Sequence, residues 1–79
     1  MSKTFTRTIT LSVSPVTTGN GLDNIELSRL TDNALLRLQN ALGSLIEGGL
    51  LSGTLTYQDQ TPAVNVLWTI EVTDSPTAQ

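Results

Sequence analysis

From Thr4 to Ser14 every even position carries a hydroxyl, and every odd position except Arg7 is apolar. Successive side chains of a strand point to opposite faces, so this alternation predicts a strand with one buried face and one hydroxyl face. Pro15 is expected to end it, because proline has no N–H to give to a ladder. Residues Val16 to Leu22 read as a loop that turns at Gly19-Asn20-Gly21.

The period then changes. Leu27, Leu30, Ala34, Leu35, Leu38, Ala41, Leu42, Leu45 and Ile46 share one face of a helical wheel, with Arg29, Asp32, Asn33, Arg37, Asn40 and Glu47 opposite. Asp23 and Glu26 have the spacing of a capping box, and Gly48-Gly49 supplies a stop. These features predict a helix over Asn24–Glu47. Thr31 offers a second start for a shorter helix, but Leu27 and Leu30 lie on the same stripe and favour the longer one. At ~1.5 Å per residue the helix is ~36 Å long, a match for a strand of about eleven residues.

Alternation returns twice more. A second strand is expected over Leu50 to Gln58, with Leu51, Leu55 and Tyr57 on one side and Ser52, Thr54 and Thr56 on the other. Gly53 falls on the apolar side, where its missing side chain leaves room for a large neighbour or a bulge. Asp59 to Pro62 forms the turn. The third strand, Ala63 to Thr73, sets Val64, Val66, Trp68, Ile70 and Val72 on one face. Residues 1–3 and the tail from Asp74, which contains Pro76, are expected to fray.

The elements make a single α+β domain over residues 1–79, in the order β-α-β-β. The helix returns the chain, so the first two strands run the same way and the third opposes both. Placing the third strand centrally makes every pairing antiparallel and gives the crossover its usual right hand. The expectation is therefore one long helix packed on a three-stranded antiparallel sheet, order 1-3-2, with the helix covering the apolar side.

Composition narrows the chemistry. The chain has neither cysteine nor histidine, which removes disulfides, thiolates, and the commonest general base and metal ligand. Four basic residues stand against seven carboxylates, and a net charge of −3 speaks against binding nucleic-acid backbones or anionic membranes. Charged residues are 14% of the chain, against a usual ~25%. The polar surface is therefore built from Thr, Ser, Asn and Gln, which are cheap to desolvate in a protein contact. No apolar run follows Lys3 and none is long enough to span a bilayer, so a cytoplasmic protein, or a virion component assembled there, is expected. So short a chain buries only ~60% of its unfolded surface, and such domains often gain stability by oligomerising.

Candidate reactive groups reduce to structural ones. Asp23 with Glu26 serves a backbone need at a helix start rather than a cation. Gly19-Asn20-Gly21 precedes a helix but lacks the third glycine of a dinucleotide fingerprint, since Asn24 stands there. Glu71 and Asp74 do not have calcium-loop spacing. No hydroxyl has an evident activating base, and Lys3 is a terminal residue. Phe5, Tyr57 and Trp68 all fall on apolar strand faces, where core packing is expected of them. No catalytic, cofactor or metal residue is assigned, and no enzyme is expected.

Association surfaces are easier to name. Strands one and two are edges, and strand two carries no charge between Leu50 and Gln58 to guard it. On the helix, Ile25, Leu36 and Gly43 fall near one line away from the core stripe, a pattern suited to a helix packing on a partner copy. Leu50 and Leu67 add apolar groups to the otherwise Thr-covered face of the sheet. The interface residues expected are Ile25, Leu36 and Gly43 on the helix, and Ser52, Thr54 and Thr56 on the second strand. The expected function is that of a small non-catalytic structural or protein-interaction protein. It would self-associate through sheet edges, the outer helix face or both, as a phage or mobile-element assembly subunit or inhibitor does, with itself and a further protein as partners.

A second function comes from a resemblance. In its β-α-β-β order and its size the chain resembles dodecins, small flavin-storing proteins that assemble into hollow shells and stack flavin on tryptophan. The resemblance implies a ligand-binding oligomer. It covers element order and size, with no shared motif, and Trp68 falls at a core position, so no binding residue carries over.

Overall fold

A computed structural model describes residues 2–17, 21–60 and 62–78. Its elements are strand β1 (Lys3–Val16), helix α1 (Asn24–Glu47), strand β2 (Ser52–Tyr57) and strand β3 (Val64–Ala78). The sheet has the expected order β1-β3-β2, with both pairings antiparallel. One helix lies on its apolar side.

Local chemistry sets both ends of α1. Asp23 is the N-cap, and its Oδ1 accepts from the Glu26 N–H at 2.8 Å, which satisfies one of the free donors of the first turn. At the other end the Gly49 N–H donates to Ile46 O at 3.1 Å and the Leu50 N–H to Leu45 O at 2.9 Å. This reciprocal pair needs a left-handed residue between its arms, and Gly49 supplies it at φ 75°. The alternative start is not used: Thr31 lies inside the helix, and its hydroxyl donates back to Leu27 O at 2.8 Å.

The core is narrow and has two parts. Ala34, Val64 and Val66 are buried together, with Leu22, Leu30, Val13, Leu55 and Tyr57 around them. Leu38, Trp68 and Ile70 form the second part, surrounded by Leu11, Leu42, Leu45, Ile46 and Val72. Gly53 pairs across the ladder with Trp68. A Cβ on Gly53 would stand 2.7 Å from the indole Cζ2, so the glycine is the space the indole occupies. Tyr57, opposite Val64, is half-buried against the first part, donating its hydroxyl to Asn33 Oδ1 at 2.7 Å, with the Arg37 guanidinium 5.5 Å from its ring centre.

β1 and β3 run further than their sequence suggests, whereas β2 is shorter, Ser52–Tyr57 in place of the expected Leu50 to Gln58. Pro15 does not end β1; it lies within the strand, opposite Val66. An edge strand has outward-facing N–H positions with no partner to lose, and proline is tolerated there. Residues expected to fray after Thr73 continue β3 as far as Ala78, with Lys3 paired to Ala78 and Phe5 to Pro76. The same reason holds for Pro76. β2 pairs with β3 only as far as Thr69, so beyond that point β3 is itself an edge. Gly19 and Asn20 of the expected first turn, and Thr61 of the second, lie outside the described residues.

The longer strands outrun their cover. The molecule measures 58 × 24 × 17 Å. At one end, which we call the body, α1 and β2 flank the β1–β3 pair. At the other, residues 3–10 of β1 and 71–78 of β3 continue alone as a two-stranded arm. The expectation that the helix covers the whole apolar side is therefore corrected: its last turns, Leu45 and Ile46, pack near Ile70 and Val72 and stop there.

Candidate association surfaces

Register decides which arm residues share a face. Phe5 opposes Pro76, Arg7 opposes Asp74 and Ile9 opposes Val72, and these lie on the same side as Leu11, Val13, Ile70 and Trp68 of the core. In the body that side is buried under α1. In the arm Phe5 is 61% exposed and Ile9 39% exposed. The expectation that all three aromatics pack in the core holds for Trp68, at 5% exposure, and is corrected for Phe5. Phe5 lies on the apolar face, but among the described residues no helix or third strand reaches over it.

An ion pair divides this bare face. Arg7 donates through Nε to Asp74 Oδ1 at 2.7 Å and through Nη2 to Oδ2 at 2.9 Å, a two-point contact that ties the strands together. The Arg7 guanidinium also stands 5.7 Å from the centre of the Phe5 ring. Hydrogen bonding to Arg7 holds the Asp74 carboxyl below its ordinary range, and the same bond raises Arg7. The face thus reads, from tip to base, as an apolar pair, a charged pair and a second apolar pair. An open pocket at the tip is lined by Lys3, Thr4, Phe5, Pro76 and Thr77.

The residues expected at an interface fall on two opposite sides. Ile25 is 67% exposed and Leu36 57% exposed, and Gly43 has nothing within 4 Å of the position a Cβ would take. All three lie on the side of α1 turned away from the sheet. Ser52, Thr54 and Thr56 are exposed on the far, hydroxyl side of the sheet, where the Thr56 hydroxyl donates to Asn65 Oδ1 at 3.0 Å. The fold therefore makes two separate candidate surfaces from these six residues and does not bring them together. Leu67, between the hydroxyls, is exposed as well.

Sequence reasoning missed the arm residues Phe5, Arg7, Ile9, Asp74 and Pro76 as a surface. The available clue was the mirror order Phe-x-Arg-x-Ile in β1 and Val-x-Asp-x-Pro in β3, which pairs opposite charges when the strands are antiparallel. Among the described residues no group of three acidic, histidine or cysteine side chains is placed to hold a metal, and no helix is long and apolar enough to cross a membrane. No protein-family model, curated protein or solved structure matches the chain.

Proposed function

We propose that this is a non-catalytic structural or protein-interaction protein that acts as an assembly of its own copies. The observation that carries the reading is the arm. A two-stranded ribbon is marginal in water by itself and needs a third strand or a packed face. Here the ribbon has no third strand, and its face is packed only at the base, where Val72 joins the core; beyond that Phe5 is 61% exposed, with Pro76 opposite it, and Ile9 39% exposed. A second copy supplies what the chain lacks. The free edges of β1 and β2 and the outer face of α1 are further contact surfaces of the same kind.

A ligand-binding shell of the dodecin type has less support. The indole of Trp68 is buried beneath α1 against Gly53, so it offers no open ring face for stacking. Native mass measured across a dilution series tests the proposal. A discrete oligomer that survives dilution is expected, and a monomer at every concentration overturns it.

A further inference from the structure

Resting on that reading of self-association, we infer that the bare face of the arm docks on the outer seam of α1 of a second copy. The two surfaces match in order, in length and in charge. The arm face runs Phe5, then Arg7 with Asp74, then Ile9. The seam runs Ile25, then Arg29 with Asp32, then Leu36, all exposed. At ~3.4 Å per strand residue, Phe5 and Ile9 stand about 7 Å either side of the arm's charged pair. At ~1.5 Å per helical residue, Ile25 and Leu36 stand about 8 Å either side of the midpoint of Arg29 and Asp32. The whole seam from Ile25 to Gly43 is about 27 Å long, against about 24 Å for the arm.

Charge fixes the pairing. On the arm Arg7 and Asp74 sit side by side across the two strands. On the helix Arg29 and Asp32 are about 60° apart around the axis, one on each side of the seam line. Neither is in an ion pair among the described residues. Laid along the seam in one direction, the arm puts Arg7 beside Asp32 and Asp74 beside Arg29. Turned end for end, it sets like charge on like. Two arms face to face fit less well: the half-turn that keeps the two bodies apart stacks Arg7 on Arg7 and Asp74 on Asp74.

The geometry also allows every copy to give and to receive. The bare arm face and the seam look to the same side of the molecule, one from the sheet and one from the top of the helix that lies on it. A second copy turned over presents both of its own surfaces to the first. Contacts of this kind use two different patches, and closure by symmetry leaves neither of them empty.

Reciprocal charge reversal tests the inference. One chain carries Arg7→Asp with Asp74→Arg, which keeps the pair within the arm but reverses its pattern. A second carries Arg29→Asp with Asp32→Arg. All four positions are exposed, and circular dichroism with thermal melting checks each fold. Each chain alone is expected to assemble at least about tenfold more weakly than the natural one, because like charges then meet across the contact. An equimolar mixture is expected to recover the native mass, since each arm then finds a matching seam on the other chain. A chain bearing all four substitutions is expected to recover it too. If the helix-reversed chain assembles like the natural protein, or if the mixture assembles no better than its parts, the arm does not lie on the seam, while self-association stands. A natural chain that is monomeric throughout removes self-association itself. Leu36→Gln gives an independent reading: a lower assembled fraction is expected, and an unchanged one overturns the docking.

Discussion

The two ends of the β1–β3 ribbon are built alike and end up in different surroundings. Both alternate hydroxyls with apolar groups, and both put the apolar groups on the same side. In the body, Leu11, Val13, Trp68 and Ile70 meet a helix stripe and a third strand. In the arm, Phe5 and Pro76 face each other with neither helix nor third strand among the described residues to cover them, and Ile9 stays 39% exposed. A hydrophobic face is thus a demand for a partner, and the chain meets that demand along only part of its length.

This contrast is open to attack from both ends. The largest effect is expected in the body. Leu38→Ala hollows the contact between helix and sheet and should destabilise by about 2–5 kcal/mol, read as a fall in melting temperature. A melting curve that barely moves would mean the helix stripe does not hold the body. Gly53→Ala comes next, at about 1–3 kcal/mol, because a methyl must displace the indole of Trp68. Tryptophan emission should shift with it, and an unchanged spectrum and stability would show that the indole has somewhere else to go.

Changes in the arm and on the hydroxyl face should be smaller for the single chain. Phe5→Ala is expected to cost the dilute monomer less than about 0.5 kcal/mol, since its ring is mostly exposed there. Its effect should appear instead as a loss of native mass at high concentration. Thr54→Lys and Thr56→Lys should likewise stay within about 0.5 kcal/mol in urea unfolding. If their native mass also falls, the β2 edge joins the contact surfaces; if it holds, contact is confined to the arm and the helix.

The smallest effect is a local one of pH. Asp74 titrates below its unfolded value because Arg7 bonds to its charged form. Its contribution is therefore complete above the ordinary carboxylate pKa and is lost as pH falls through the lowered value. Amide exchange at Thr6, Thr8 and Thr73 should quicken in acid while exchange in α1 holds. Uniform protection down to that pH would show that the ion pair does not tie the arm.

Most of the fold was legible in the chain. Alternation gave the strands and their faces, the 3.6-residue stripe gave α1, and the apolar continuity of β3 gave its central place. Even the room left by Gly53 for a large neighbour could be read. What alternation does not encode is coverage. It placed Phe5 on the apolar side but said nothing of how far α1 reaches, which depends on rise. Twenty-four helical residues span about 36 Å, whereas fourteen strand residues span about 46 Å. The same limit hid Pro15 and Pro76, whose tolerance depends on whether a neighbouring strand wants their missing N–H. All six expected interface residues are exposed, three on the outer side of α1 and three on the hydroxyl side of the sheet, the sides that the helical wheel and the strand alternation had given them.

The pairing of Lys3 with Ala78 has a consequence in time as well as in space. The β2–β3 hairpin joins residues close in sequence, and α1 forms from its own neighbours. The arm can close only when residues 3 and 78 meet, after the chain between them has been drawn together. It is therefore expected to zip last on folding and to open first on unfolding. A chain caught part-way through unfolding would then have lost the order of its arm while its body stayed intact.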